Sequence, residues 1–531
     1  MVQVSQAWLN KYDETLVPET FIGITLQLTE PGLQETASVA ADAETSFSDA
    51  ESIVDIDTEY TYSRYATGEL NFTLLDSTFE ILPDSISEYG EAGYVSEQCV
   101  SDDNYPIITF SFSRVHTKAI PGIVIVWSNT FGEFAKSFTV TSYNGTTVVD
   151  TYSFTDNSNV NCEVDCRLNN YDSISIQVLE WCLPQHRARI EQVQLGKNVI
   201  FNKGDLMSYT HTSSRDPISG QLPEDSVKFS IDNSSQRWDT INPDGLYEYL
   251  YERQPVTVRY GMDVDGTKEW ISGGQFFLSE WSAPANGIEA SFTARDAFAY
   301  LMVSNYTGRK YGTLYEMAYD ALELLSDNVA TYEISEDLKN YSTDITDDNT
   351  SYKDSDILQM VANAAGMALY QTRDGVITIK RIPALSAASE NIACDISDSN
   401  NFSYPEITYS SPIKDISCSI SVTNDGKKET KTCYYPENST EDGATQTVSN
   451  KMLNEKILAQ SDNILTEAYA VLSNRKKVSL SYRASPHLDA LDFVKIHHKF
   501  DYESTVLTTK FTFQYTGCFH GTVEGYMLGG E

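Results

Sequence analysis

Across residues 225–302 apolar and polar positions alternate in a series of short runs. Val227, Phe229 and Ile231 alternate with Lys228, Ser230 and Asp232, the period of a half-buried strand. Val256, Val258 and Tyr260 repeat the pattern after Pro255, a residue suited to opening a strand. The stretch 261–266, GMDVDG, predicts a turn, with glycine at both ends and short acids between. Phe276, Phe277, Leu278 and Trp281 form another apolar run, followed by a turn at Asn286-Gly287. In the last strand Ile288, Ala290, Phe292 and Ala294 take one face, while Glu289, Ser291, Thr293 and Arg295 take the other. Asp296 then stands where a helix cap belongs, before the apolar residues 297–301. Such a unit is a compact β element closing onto a short helix.

The same reading extends along the chain. Residues 21–28 and 69–75 predict strands, with an acidic, Ala/Ser-rich stretch at 33–57 read as an exposed loop or arm and a linker at 83–93. From about 99 to 195 strands are expected at 107–112, 123–127, 137–143, 148–154, 174–179 and 189–195, with Asn144-Gly145 as a hairpin turn. Short strands at about ten-residue spacing argue for a β-sandwich or jelly roll. Leu314, Met317, Ala318, Ala321, Leu324 and Leu325 fall at helical spacing. Ser355 is placed to cap a second helix carrying Ile357, Leu358, Val361, Ala364 and Ala365 and stopping at Gly366. Two strands follow, joined across Arg373-Asp374-Gly375. Beyond 390, Ile416, Cys418 and Ile420 alternate, while Gly426 and NSTEDGATQ read as loops. Leu453, Ile457, Ile464, Ala468 and Leu472 trace one long helix, and strands resume at 477–482, 493–497 and 508–515.

Composition narrows the class. The length of 531 residues suggests three to four domains, and 33 Tyr with abundant Ser, Thr and Asn suits a β-rich protein. A formal charge of -39 leaves no electrostatic footprint for nucleic acid or an anionic membrane surface. The first residues lack a charged segment and an apolar core, so no signal peptide is expected, and no window reads as a membrane span. Eight cysteines spread over the chain make no disulfide scaffold. Cys162, Cys166 and Cys182 cluster, which leaves a pair or a metal conceivable, but C-x3-C with a lone third cysteine is not a strong zinc spacing, and reduced structural thiols are expected.

The order SVKFSIDN, NPDGLYEYLYERQPVTVRYG, GGQFFLSEW and ASFTARDAFAYL resembles the first barrel of phage tail hub proteins, the trimeric baseplate or tail-tip proteins beneath the tail tube. DILQMVANAAGMALYQTRDGVITIKRI resembles their middle domain, and LDFVKIHHKFDYESTVLTTKFTFQYTGCFHGTVEGY their second barrel, with Leu491-Asp492 where the family usually has Gly-Asp. The implied fold class is mainly β with α+β parts: two hub-type β-barrels, a small helical middle domain and an inserted β-sandwich. The expected boundaries are 1–95 for N-terminal strands and an acidic loop contributing to the first barrel, 96–200 for the insert, 201–305 for that barrel, 306–385 for the middle domain, and 386–531 for the second barrel with a long helix. The pattern IVIVWSNTFGEFAKSFTVTSYNGTTVV, closing on PQHRARIEQVQLG, resembles galactose-binding-like jelly rolls. That likeness implies glycan contact, with Trp127, Tyr143 and Tyr171 as candidate stacking aromatics. Trp127, inside an apolar strand, reads more readily as core.

The hub resemblance implies a homotrimer in the virion tail tip or baseplate, made in the bacterial host cytoplasm. Three copies would present six similar barrels to a sixfold tube. Its partners would be tail tube or distal tail proteins, spike or tip and tape-measure proteins, and host-surface carbohydrate. DNA would only pass through the lumen, with no stable membrane insertion. The sequence carries no H-E-x-x-H, G-x-S-x-G or Walker loop, so no catalytic residues, metal or cofactor are expected. Asp263-x-Asp265-Gly266 lacks the acidic ligand of a calcium loop and reads as a turn. His497-His498 alternate across a strand, and Cys518 with His520 lacks an orienting partner. The competing readings are a free carbohydrate-binding or adhesive protein and a tail-associated cell-wall hydrolase.

Overall fold

Alternation at 224–295 builds the centre of one large sheet. In the computed structural model the described residues are 2–14, 18–55, 65–74, 76, 81, 93–284, 287–323, 331–345, 352–424, 427–500 and 502–529. Asp57, Leu75, most of the 83–93 linker, Asn286, Leu324, Leu325 and Gly426 lie outside them. The chain is mainly β with few helices and divides into two units. The first comprises Met1–Thr25, Ile200–Gln236 and Pro255–Glu531, the second Leu26–Val199 and Arg237–Gln254.

The first unit carries most of a 13-stranded sheet. Its order is Lys197–Asn202, Thr20–Leu28, Pro255–Val264, Thr267–Ser282, Glu289–Arg295, Glu224–Asp232, Leu206–Ser214, Glu503–Tyr515, Phe519–Leu528, Lys476–Tyr482 and Glu406–Tyr409, with Phe493–His497 and Ile392–Ile396 branching off Glu503–Tyr515. The two β blocks that the sequence places either side of a helical middle therefore meet edge to edge. The seam is the antiparallel pairing of Leu206–Ser214 with Glu503–Tyr515, from Tyr209↔Tyr515 to Ser214↔Lys510. Val227, Phe229, Ile231, Val256, Val258, Tyr260, Ala290, Phe292 and Ala294 are buried as their alternation requires. Ile288 is the exception. It precedes the strand and is 67% exposed.

The turn expected over 261–266 is tighter than its sequence suggests. Gly261 to Val264 continue the strand, and only Asp265 and Gly266, both at positive φ, make the hairpin turn. Gly261 is needed for space: a Cβ there would lie 2.9 Å from the ring of Trp270, its cross-strand partner. The Asp263 carboxylate accepts the Gly266 N–H at 2.7 Å, as a turn would have it. Asp296 lies one residue before the cap position, which Ala297 occupies, and its side chain still accepts the Phe298 N–H at 3.2 Å.

Between the two β blocks, helix Leu314–Glu323 buries Leu314, Met317, Ala318 and Ala321. Helix Asp354–Ala364 starts two residues earlier than expected. Lys353 is its cap, its N–H donating to the Asp356 carboxylate at 3.1 Å, and Ser355 is buried inside the first turn. The hairpin Ala368–Gln371 and Ile377–Lys380 follows. The long helix expected over 453–472 is two short ones, Glu455–Leu458 and Ile464–Leu472. Asn454 and Asn463 break it because each side chain caps a new helix, accepting from Ile457 N and Leu465 N. The end of NSTEDGATQ is also not loop: Ala444–Val448 pairs in parallel with Ile413–Asn424.

The second unit is a β-sandwich. A five-stranded sheet (Ser38–Ala41, Ile107–His116, Tyr171–Trp181, Ala135–Asn144, Thr147–Phe154) shares one core with a three-stranded sheet (Gln192–Leu195, Ile120–Val126, Asn161–Leu168). The expected hairpin at Asn144-Gly145 is present, with Gly145 at positive φ. The acidic stretch after Leu33 is packed, not an exposed arm. Leu33, Val39, Ala50 and Ile53 join the core, and Glu44 accepts from Ser48 Oγ (2.8 Å) and Ala50 N (3.2 Å).

Candidate functional site

The seam of the first unit holds a buried cluster of charged and hydroxyl side chains. Arg215 follows directly on strand Leu206–Ser214 and is 3% exposed. Its guanidinium lies 3.2 Å from Asp489 and 3.7 Å from Asp225, and donates to Ala490 O (3.2 Å) and Gln371 O (3.0 Å). It also covers the Tyr370 ring at 4.4 Å. Arg373, in the turn of the 368–380 hairpin, donates to Ser272 O (3.1 Å), Pro486 O (2.5 Å) and Leu488 O (2.6 Å), with Asp489 at 3.6 Å. His211 bridges Asp225 (2.5 Å) and the Tyr260 hydroxyl (2.8 Å), which meets the Tyr209 hydroxyl at 2.7 Å. The planar guanidinium suits this work because its donors reach several acceptors at once.

The electrostatics follow from burial and pairing. Burial pushes the Asp489 carboxyl up, but the charges of Arg215 and Arg373 outweigh it and hold it down at about 2. Burial likewise works against the Arg215 charge, yet Asp489 and then Asp225 outweigh it and raise its pKa. Asp296 goes the other way. Burial, reinforced by the negative charge of Asp225, raises it well above the carboxylate range while its oxygens accept the Asp225 and Phe298 N–H groups. Two arginines thus hold Asp489 ionised, with Asp296 nearby kept protonated. The ion pairs and hydrogen bonds join segments near residues 211, 225, 260, 272, 371 and 489, so the cluster ties both β blocks to the middle hairpin. Chemically it is a strut: both guanidinium groups are committed to carboxylates and backbone carbonyls.

Beside it lies a cleft of about 450 Å³ bordered by Asp216, Leu222, Glu406, Lys477, Glu524 and Tyr526. Burial raises the Asp216 carboxyl, although backbone N–H groups from Ile218, Gly220 and Gln221 oppose this. Among the described residues no group of three His, Cys, Asp or Glu side chains could hold a metal ion, and no helix is long and apolar enough to cross a membrane. His497 faces Asp395 (2.7 Å) and Glu503 (3.4 Å), while His498 meets Ser504 (2.6 Å).

The aromatic candidates of the sandwich are placed apart. Trp127 is fully buried, packed edge-on against Phe138 and Trp181. Tyr171 is fully buried, stacked on His116 and edge-on to Phe112. Neither presents a face to a sugar ring. Their strands contribute them to the core between the two sheets. Tyr143 is half-buried, its hydroxyl 3.4 Å from Ser175.

Periodicity does not single out the charged cluster, whose members are scattered over almost 300 residues. One local signal existed. In Leu491-Asp492, Leu491 stands at φ +76°, a conformation natural to glycine. This loop delivers Asp489 and the carbonyl of Ala490 to the arginines.

No protein-family model matches the chain, and no curated protein matches it. Solved structures similar to it include the tail protein from Neisseria meningitidis MC58 (11% identity, 62% of this chain and 94% of that one, TM-score 0.42). The prophage tail protein gp18 from Listeria monocytogenes EGD-e is similar over 63% of this chain and 92% of its own, at 12% identity and TM-score 0.40. The 43 kDa tail protein of prophage MuSo2 from Shewanella oneidensis is similar over 62% and 95%, at 11% identity and TM-score 0.39.

Proposed function

We propose that the chain is a structural tail hub subunit of a bacteriophage or phage-derived injection particle. It would act as a homotrimer that joins a sixfold tail tube to a threefold tip or spike, with no catalysis of its own. The observation that carries this reading is the seam: two β blocks whose paired strands, Leu206–Ser214 and Glu503–Tyr515, lie far apart in the sequence share one sheet, and a buried ionic cluster locks them together. A subunit that must offer two β blocks to a tube at fixed spacing needs such a joint, because a flexible one would let the six blocks of a trimer drift out of register. The order of sequence motifs around the helical middle supports the same reading, and a charge of -39 suits a passage that DNA crosses without sticking.

In this reading the neighbours are tail tube or distal tail proteins on one side and spike, tip and tape-measure proteins on the other. The sandwich is the candidate jelly-roll insert. A host glycan, if it is the sandwich's ligand, would stack on Tyr143, the one of the three aromatic candidates not sealed in the core. Light scattering on the purified chain, with negative-stain imaging, tests the assignment. It expects three times the chain mass and particles with an axial passage. A monomer that binds oligosaccharide would favour the adhesive reading instead.

A further inference from the structure

Strand Ile413–Asn424 and strand Lys427–Tyr435 form an antiparallel hairpin in which Cys418 and Cys433 are direct partners. Direct partners in such a pair have Cα atoms about 4.5–5.5 Å apart, inside the span of about 4.4–6.8 Å that a disulfide bridges. Both side chains lie on the face turned to the core, between the pairs Ile416↔Tyr435 and Ile420↔Lys431. The two thiols are free in this structure and differ in access. Cys418 is fully buried, whereas Cys433 is only partly buried and lines an open cleft of about 630 Å³ with Lys431, Tyr435, Glu455 and Leu458. That cleft has room for a tripeptide, and at its wall Lys431 is paired with Glu455 at 3.0 Å.

We propose that Cys418 and Cys433 form a cross-strand disulfide when the folded chain meets a small disulfide oxidant of the glutathione class. The Cys433 thiolate attacks one sulfur of oxidised glutathione. The S–S bond breaks, one glutathione leaves as thiolate and takes up a proton, and a mixed disulfide remains on Cys433. The Cys418 thiolate then attacks the Cys433 sulfur and displaces the second glutathione. In total two protein thiols lose two electrons and two protons, and one oxidised glutathione becomes two reduced ones. Burial first, and then the neighbouring Cys433, pushes the Cys418 thiol up to about 11, so it resolves the mixed disulfide and does not begin the reaction. The bridge closes a loop of about 15 residues, a length at which the constraint on the unfolded chain is already substantial, and so staples a hairpin whose second strand is almost wholly solvent-facing. The pairing rests on register. Only the setting, a chain leaving a reducing cytoplasm with a particle, rests on the tail reading.

The test incubates the intact chain with oxidised glutathione until exposed Cys518 is fully in mixed disulfide. Free thiols are then alkylated in denaturant and the peptides mapped by mass spectrometry. The expected result is a linked Cys418–Cys433 peptide lacking two hydrogens and restored by reductant. Cys418→Ser should stop at glutathione on Cys433, and Cys433→Ser should leave Cys418 unmodified. Recovery of Cys418 and Cys433 as separate alkylated or glutathionylated residues in the wild-type chain overturns the proposal. That outcome leaves the trimer assignment untouched, because the particle mass reads it separately.

Discussion

Replacing Arg215 by Met keeps most of the side-chain volume and removes the charge that faces Asp489 and Asp225. Breaking a buried pair in this way leaves uncompensated charge and costs about 3–5 kcal/mol. The carbonyls of Ala490 and Gln371 lose their donor as part of the same loss. Asp489 supplies an internal check on the electrostatic share. Its folded pKa of about 2 lies below the ordinary 3.8, a depression that corresponds to roughly 2 kcal/mol. Because the folded value is depressed, this stability is fully present above about pH 4 and is lost as pH falls through about 2. In Arg215→Met the largest charge opposing burial is gone and Arg373 remains, so the Asp489 pKa rises and the acid limb of the stability profile flattens. Urea unfolding followed by circular dichroism gives the loss. Hydrogen exchange along Leu206–Ser214 and Glu503–Tyr515 locates it at the seam. Arg215→Met combined with Asp489→Leu removes both partners of the closest pair but leaves Arg373 with its three backbone carbonyl acceptors alone, so only part of the stability should return. An Arg215→Met chain within about 0.5 kcal/mol of wild type, with unchanged exchange at the seam, refutes the strut.

Three further outcomes are expected. Asp296, raised by burial and by Asp225, favours the fold most below its unfolded pKa and loses that contribution as pH rises through its folded value. Asp296→Asn should therefore flatten the decline in stability measured by urea midpoints from pH 4 to 8. Gly521→Ala places a Cβ 1.9 Å from the Thr512 carbonyl. Its antiparallel strands must separate, and a loss of about 3 kcal/mol is expected in the same unfolding assay. Trp127→Ala should cost the sandwich about 3–5 kcal/mol, whereas Tyr143→Ala should cost about 1 kcal/mol or less. If oligosaccharide titration of the wild-type chain gives a binding signal, Tyr143→Ala should abolish it, and a flat wild-type titration removes the glycan role.

Strand identity was written locally wherever one face is buried, since alternation at Val227–Phe229–Ile231 or Ala290–Phe292–Ala294 needs no partner to be read. The same holds for the Asn144-Gly145 hairpin and for helix Leu314–Glu323, where turn chemistry and helical spacing act within a few residues. Capping was less legible. Asn463 begins a new helix only because its side chain can reach the Leu465 N–H, and spacing alone extends the apolar stripe through it. The buried aromatics show the limit most clearly: Trp127 and Tyr171 look alike whether their strand faces a second sheet or water.

What the sequence determined by itself, then, was the set of short β elements, their turns and the helical middle, because each depends on the periodicity of its own residues. Tertiary structure alone decided which strands meet at the seam and which charges meet there. Pairing between residues 209 and 515, or 215 and 489, follows from the closing of long loops around a shared core, and no local pattern encodes it.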